Sequence, residues 1–398
     1  MNKSIDLILE FGEALHSYGA ASYNLEQALQ NIAKQLGVEA EFFAAPTLLI
    51  SGFKIDGESK TYVKRVYPAN VDLRKLTYLD TLGDQLIEGN VDVEQAYAEL
   101  KRIRNLKENS PEIIEIIAYG LAALCVSIFF NANNIEAIAA FFAGTTVGIV
   151  STMLNDKLKH FSEFMAAFLA SVVALIFTKY FQNYSYNIVV LASLIVIIPG
   201  LSLTIAITEL ATLNLASGTA RLMQSILVFF KLAFGVALAM QFLNLWGIKP
   251  HNILPNIEVA IMFKSSALFV ACLSFCILFR IPLRFYLWVL SAGALSFFST
   301  YYGINYFGLN ITTFLAGFLV CLLSNAFARW RKKPALLLEL PGLMLIVPGS
   351  VGFKGLQSFV ENNSIAGIDS IFNMFLIAIA LVSGFLLANI LLVPKRSL

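Results

Sequence analysis

The sequence predicts an α-helical polytopic membrane protein: ten spans as a 5+5 inverted repeat, behind an N-terminal cytoplasmic α+β domain. Three observations predict it. The 398 residues are 58% hydrophobic and only 14% charged, with a mean hydropathy of +0.73, a balance foreign to soluble domains. Charge is unevenly placed: residues 1–110 hold 12 Lys+Arg and 16 Asp+Glu, and the other 288 hold 16 and 10. Finally, Val196-Ile-Ile-Pro199-Gly200-Leu201 is echoed 149 residues later by Leu345-Ile-Val-Pro348-Gly349-Ser350.

The expected cytoplasmic domain, residues 1–110, opens with two amphipathic helices over 2–19 and 22–36. Ile5, Leu9 and Leu15, then Leu25, Leu29 and Ile32, fall at helical spacing. Gly37 is a stop signal. Three β-branched and aromatic runs follow, near 41–44, 47–51 and 61–67, with turns at Pro46 and Asp56-Gly57. Asp72 is expected to cap a helix to about Glu88, and Asp92 another that ends in Lys101-Arg-Ile-Arg-Asn-Leu-Lys107. The N-terminus carries Asp6, Glu10 and Glu13 along its apolar pattern, which does not suit a signal peptide.

Ten apolar stretches of about the length that a bilayer core demands follow. They lie near 113–130, 135–153, 162–180, 187–208, 222–243, 259–279, 283–302, 308–327, 335–356 and 369–393. One set of loops carries Lys101, Arg102, Arg104, Lys107, Lys157, Lys159, Arg221, Arg280, Arg284, Arg329, Arg331, Lys332, Lys333, Lys395 and Arg396. The alternate set carries Lys179, Lys249 and Lys354. Positive charge marks the cytoplasmic side, so both termini are expected in the cytoplasm of a protein of the cell membrane. The spans divide into repeats over 111–245 and 246–398. Each half has five, so the second is inserted upside down, the architecture of alternating access.

The candidate site lies at the two Pro-Gly breaks. A helix that restarts after Pro199-Gly200 or Pro348-Gly349 aims free amides, with partial positive charge, at the membrane midplane. Such breaks hold substrate in secondary transporters. Ser202, Thr204 and Ser350 add hydroxyls. Lys231, nine residues into the fifth stretch, is expected to face the same cavity and meet a carboxylate. Glu209, ending the fourth, is the expected coupling group, taking a proton in one access state. Arg221 reads equally as a topology anchor. Glu115, Glu163 and Lys264 read as interfacial, with Lys264 snorkelling outward.

Other chemistry is weakly represented. His16, Ser17 and Ser22 are the nearest approach to a nucleophile and base, and a solvated or capping role suits them better. Cys125, Cys272, Cys276 and Cys321 all lie in apolar runs, so they read as lipid- or core-facing residues rather than metal ligands or disulfides. There is no Gly-rich phosphate loop. No cofactor, metal or nucleic-acid partner is expected. The expected partners are a small-molecule substrate (an amino acid or a dicarboxylate) and the lipid bilayer, with a homo-oligomer left open.

The chain resembles the threonine/serine exporter family over nearly its whole length. The likeness rests on Leu15-His-Ser-Tyr-Gly-Ala, Phe42-Phe-Ala-Ala-Pro-Thr47, and Val71-Asp-Leu with Leu76. In the membrane part it rests on Pro199-Gly-Leu, Thr208-Glu-Leu-Ala211, Ser217-Gly-Thr-Ala-Arg221 and Val347-Pro-Gly-Ser350. The resemblance implies a cytoplasmic domain, ten spans and export of a small carboxylate-bearing metabolite. Similar modules that occur as two separate subunits look like succinate exporters, so a dicarboxylate is the alternative substrate. A membrane-anchored sensor or enzyme built on residues 1–110 is the alternative from another class.

Overall fold

The computed structural model describes residues 3–55, 57–66, 71–106, 110–154, 158–181, 184–250, 258–346, 348–361 and 363–394. Asp56 and Tyr67 of the expected turn and strand, Val347 of the second motif, and the loop charges Lys107, Lys157, Lys395 and Arg396 lie outside them.

The N-terminal elements are two helices, α1 (Lys3–Ser17) and α2 (Ser22–Gln35), then three strands, β1 (Ala40–Ala45), β2 (Leu48–Ile55) and β3 (Glu58–Arg65), then α3 (Leu73–Ile87) and α4 (Val93–Arg104). The strands form an antiparallel meander ordered β1-β2-β3, with Phe43 opposite Ile50 and Ile50 opposite Val63. Both expected caps are present. Asp72 accepts from the Lys75 amide at 2.8 Å, and Asp92 closes a capping box with Gln95. Leu49 and Phe53 on one sheet face are buried with Phe11, Leu15 and Leu29 of the two helices.

The remaining helices are α5 (Glu112–Phe129), α6 (Asn134–Met153), α7 (Ser162–Tyr180), α8 (Tyr186–Leu194), α9 (Gly200–Ala211), α10 (Leu215–Asn244), α11 (Ile261–Leu278), α12 (Tyr286–Arg331), α13 (Leu336–Leu343), α14 (Gly349–Val360) and α15 (Ser364–Leu391). Seven of these segments (α5, α6, α7, α10, α11, 283–331 and α15) are long and apolar enough to cross a membrane. They leave large apolar side chains exposed, including Phe142, Phe230, Phe234, Phe263 and Phe372. Such a surface suits lipid rather than water. The chain is a polytopic membrane protein.

Two features depart from a set of plain rods. The 46-residue α12 is interrupted at Gly308, where φ is 72°. A Cβ on Gly303 would lie 2.9 Å from Thr312. In a straight helix those residues stand about 13 Å apart, so α12 folds back on itself. The stretches 187–208 and 335–356 are each split into two short helices, α8/α9 and α13/α14. The expected 222–243 span begins earlier, at Leu215, giving a 30-residue α10. Its polar first turns are helical although they lack the apolar pattern.

The N-terminal elements pack on one end of this bundle. Their core is continuous with Cys276, Phe285, Val289, Phe327, Leu337 and Leu340. The Leu73 amide donates to the Phe279 carbonyl at 3.1 Å, and Lys333 donates to the Thr81 hydroxyl at 2.6 Å. The start of α5 and the end of α11 meet here too, because Arg280 bridges Glu115 (3.1 Å) and Asp72 (3.7 Å). Glu115 and Arg280 are thus paired and mostly buried, not solvated.

Candidate functional site

The two Pro-Gly breaks touch. Pro199 precedes the first residue of α9, and Pro348 precedes the first residue of α14. A Cβ on Gly349 would lie 2.6 Å from Ile198 and 3.0 Å from the Gly200 Cα. Only glycine permits that approach. All four Pro and Gly residues are buried. From this contact α9 runs toward the N-terminal elements, where Glu209 near its end meets Ser22. The other helix, α14, runs the opposite way, until Gln357 donates to Asn187 at the start of α8. Two helix N-termini therefore diverge from one central point, each contributing first-turn amides without intrahelical partners.

The hydroxyls at this point differ. Thr204 is 1% exposed and donates to the Gly200 carbonyl at 3.1 Å, so its proton is spent on its own helix. Ser202 and Ser350 are half-buried, and neither hydroxyl has a hydrogen-bond partner among the described residues.

Glu209 occupies a second site, where α9 meets the N-terminal elements. Its carboxylate is fully buried. It accepts from the Ser217 hydroxyl (2.9 Å), Arg221 Nε (3.1 Å) and Nη2 (3.3 Å), and the backbone amide of Ser22 (3.2 Å). Ser22 also shares a 2.6 Å hydrogen bond with Ser217. The local sequence builds this arrangement. Leu213, at φ 64°, turns the chain after α9, and Ser217 and Arg221 return on one face of α10. A Cβ on Gly218 would lie 2.7 Å from Leu210, so glycine lets the two helices close up. Ser22 is the first residue of α2, so Glu209 supplies from the membrane bundle the anion that a helix N-terminus favours.

His16 borders this group. Its Nε2–H donates to the Pro46 carbonyl at 2.9 Å, and Nδ1 is buried without a hydrogen-bond partner among the described residues. Burial lowers its pKa below the usual imidazole value, and the nearby Arg221 charge lowers it further, against the Pro46 carbonyl and Glu209. The ring is neutral near pH 7. The Tyr23 hydroxyl is pushed up by burial and by Glu339 and Glu209, so it too is neutral. The expected solvated roles for His16 and Ser22 are overturned, because both are buried. They do not form a nucleophile–base pair either: Ser22 bonds Ser217, and His16 bonds a backbone carbonyl.

Lys231 is not brought to the breaks. Its ammonium lies 3.0 Å from the His160 carbonyl and 3.5 Å from Glu163, beside the start of α7, and is partly exposed. The reason is helix geometry. Phe229, Leu232 and Val236 form the buried face of α10, and Lys231 falls off it. Its level beside the start of α7 places Lys231 toward the end of the bundle where α7 begins, away from the breaks. Lys264 departs in the other direction: it does not snorkel but is 5% exposed, with its ammonium 5.5 Å from the Tyr301 ring centre. All four cysteines are buried and free.

Residues 6–243 match a family model described as "Putative threonine/serine exporter". Residues 264–391 match a second, described as "Threonine/Serine exporter, ThrE". The chain belongs to the threonine/serine exporter family. Among curated relatives, an uncharacterized protein of Schizosaccharomyces pombe is 24% identical over 87% of this chain and 48% of its own length. Pheromone-regulated membrane protein 10 of Zygosaccharomyces rouxii is 23% identical over 91% of this chain and 39% of its own. The Kluyveromyces lactis protein of that name is 25% identical, over 90% and 39%. The chain thus spans half or less of the length of these relatives. No solved structure matches. Exporter-family motifs quoted from scattered parts of the sequence converge in space: His16, Pro46, Glu209, Ser217 and Arg221 all belong to the buried group around Ser22.

Proposed function

We propose that this exporter-family chain is a secondary transporter that carries small amino acids, threonine and serine, out of the cytoplasm. The observation that carries the reading is the contact between Gly200 and Gly349, from which α9 and α14 diverge. Two first turns offer their amides, and the Ser202 and Ser350 hydroxyls beside them are unengaged among the described residues. That set suits a carboxylate, and carbonyls that a proline four residues on leaves without a helical donor would suit an ammonium. The chain moves its substrate unchanged, so it is not an enzyme.

The same reading has ten crossings. Six are the single long helices, two are the arms of α12, and two are the broken pairs α8/α9 and α13/α14. It takes 111–245 and 246–398 as the inverted repeats and 1–110 as a cytoplasmic domain, with both termini in the cytoplasm of a cell-membrane protein. Proton coupling falls to Glu209. A proton on its carboxylate would weaken the Arg221 ion pair and release Ser22 and Ser217, loosening α9 from the N-terminal elements. Export of a dicarboxylate such as succinate is the second reading, because two helix N-termini favour anionic charge as such.

The test is transport by the full chain in liposomes, with labelled threonine, serine and succinate offered in parallel. Saturable threonine and serine flux that rises with an imposed proton gradient is expected, with Glu209→Gln losing the gradient dependence. Flux of succinate alone would replace the substrate. Absence of all three fluxes would remove the transporter reading.

A further inference from the structure

The bundle end away from the N-terminal elements contains a cavity of about 320 Å³. Phe129, the last residue of α5, lines it, as does Glu258, just before α11. The other ends of these two helices meet at the Glu115–Arg280–Asp72 cluster, which fixes the cavity at the opposite end. Phe297, Tyr301 and Asn305 from the first arm of α12 complete the wall, and Leu345, just before the second break, forms part of its lining. The volume is at the low end of small-molecule pockets, about 300–1,000 Å³.

The lining has a specific chemistry. Phe129 and Phe297 lie 5.2 Å apart, and Phe297 stacks on Tyr301 at 5.8 Å. The Glu258 carboxylate is exposed and forms no ion pair among the described residues. Aromatic faces beside a carboxylate are suited to an organic ammonium. Lys264 borders the same Tyr301 ring, buried, and it too has no carboxylate partner among the described residues. A buried cation without a counter-charge is costly, and a ligand carboxylate would relieve that cost.

We propose that this cavity is a second binding site, for one small zwitterionic amino acid. Glu258 and the rings take the ammonium; Lys264, at the Tyr301 ring, takes the carboxylate. Succinate would set a second anion against Glu258, so the site selects against dicarboxylates. The assignment rests on the transporter reading only in treating Leu345 as the link from this site to the central breaks.

The test is equilibrium binding of labelled threonine to the reconstituted full chain, in competition with N-acetylthreonine, threonine methyl ester and succinate. Each blocked analogue should compete at least tenfold less well, and succinate least. Glu258→Gln should weaken threonine about tenfold, the worth of a charged hydrogen bond, without further weakening N-acetylthreonine. Lys264→Met should do the converse with the methyl ester. Glu258 is exposed, so its variant tests the site even if Lys264→Met fails to fold. Wild-type affinity in Glu258→Gln, equal binding of the analogues, succinate binding as tightly as threonine, or no saturable threonine binding each overturn the site. Threonine transport with unchanged affinity in Glu258→Gln overturns the site and leaves the transporter. Saturable binding without any transport does the reverse.

Discussion

The two ends of the helix bundle handle charge in opposite ways. At the end under the N-terminal elements, three buried carboxylates meet arginines: Glu209 with Arg221, and Glu115 and Asp72 with Arg280. Apolar side chains of α1–α4 complete the seal. At the other end, Glu258 lines a cavity and Lys264 lies against the Tyr301 ring of its wall, and neither has an ion-pair partner among the described residues. The Gly200–Gly349 contact stands between the two. The proposed transporter reading calls for such a contrast, with one side closed while the other is open.

The largest expected effect breaks the matched end. Arg221→Met leaves Glu209 buried and unpaired, which should cost about 3–5 kcal/mol, read as a fall in thermal stability of the purified protein in detergent. Adding Glu209→Gln should recover most of the loss. A double variant no more stable than the single one would mean that this pair does not hold the closed end together.

Next comes the centre. Gly349→Val would drive a branched side chain into Ile198 and the Gly200 backbone. Overpacking of that kind costs about 1–3 kcal/mol, and transport should fall well beyond the loss of folded protein. Transport in proportion to folded protein would show that the contact of the breaks is packing alone.

The third prediction sharpens the contrast by pH. The folded pKa of His16 is lowered, by burial first and by Arg221 next. Below the ordinary value of about 6.5 the unfolded or undocked state binds the extra proton more readily. The His16 contribution is therefore complete above that pH and is lost as pH falls through the lowered folded value. Limited proteolysis between the N-terminal elements and the bundle should accelerate as pH drops below 6.5, and His16→Gln should flatten that dependence. An unchanged profile in His16→Gln would exclude this imidazole as the source.

The smallest effect belongs to Lys231. Partly exposed pairs such as Lys231–Glu163 are worth about 1 kcal/mol or less. Lys231→Met should keep near wild-type stability and transport rate. A variant that inserts normally yet loses most transport would return Lys231 to the substrate route.

What the sequence alone determined is local or periodic. Helix caps at Asp72 and Asp92, the strand runs, the apolar stretches and the two helix breaks each follow from a few neighbouring residues, and all are present. The two Pro-Gly motifs marked the centre because backbone rules act at the residue itself. What only the tertiary structure decided is which charge meets which. Glu209 lies 187 positions from Ser22 and Glu115 lies 165 from Arg280, separations that no spacing rule addresses. The sequence misplaces Lys231 because its side chain lies one residue off the buried face of α10 and level with the start of α7, which no spacing rule shows. Lys264 was misread because its proximity to a helix end suggests escape to water, whereas the rings of α12 enclose it. Periodicity encodes which residues leave water; pairing of the buried charges depends on how the helices are turned against one another, and that is fixed only by packing them together.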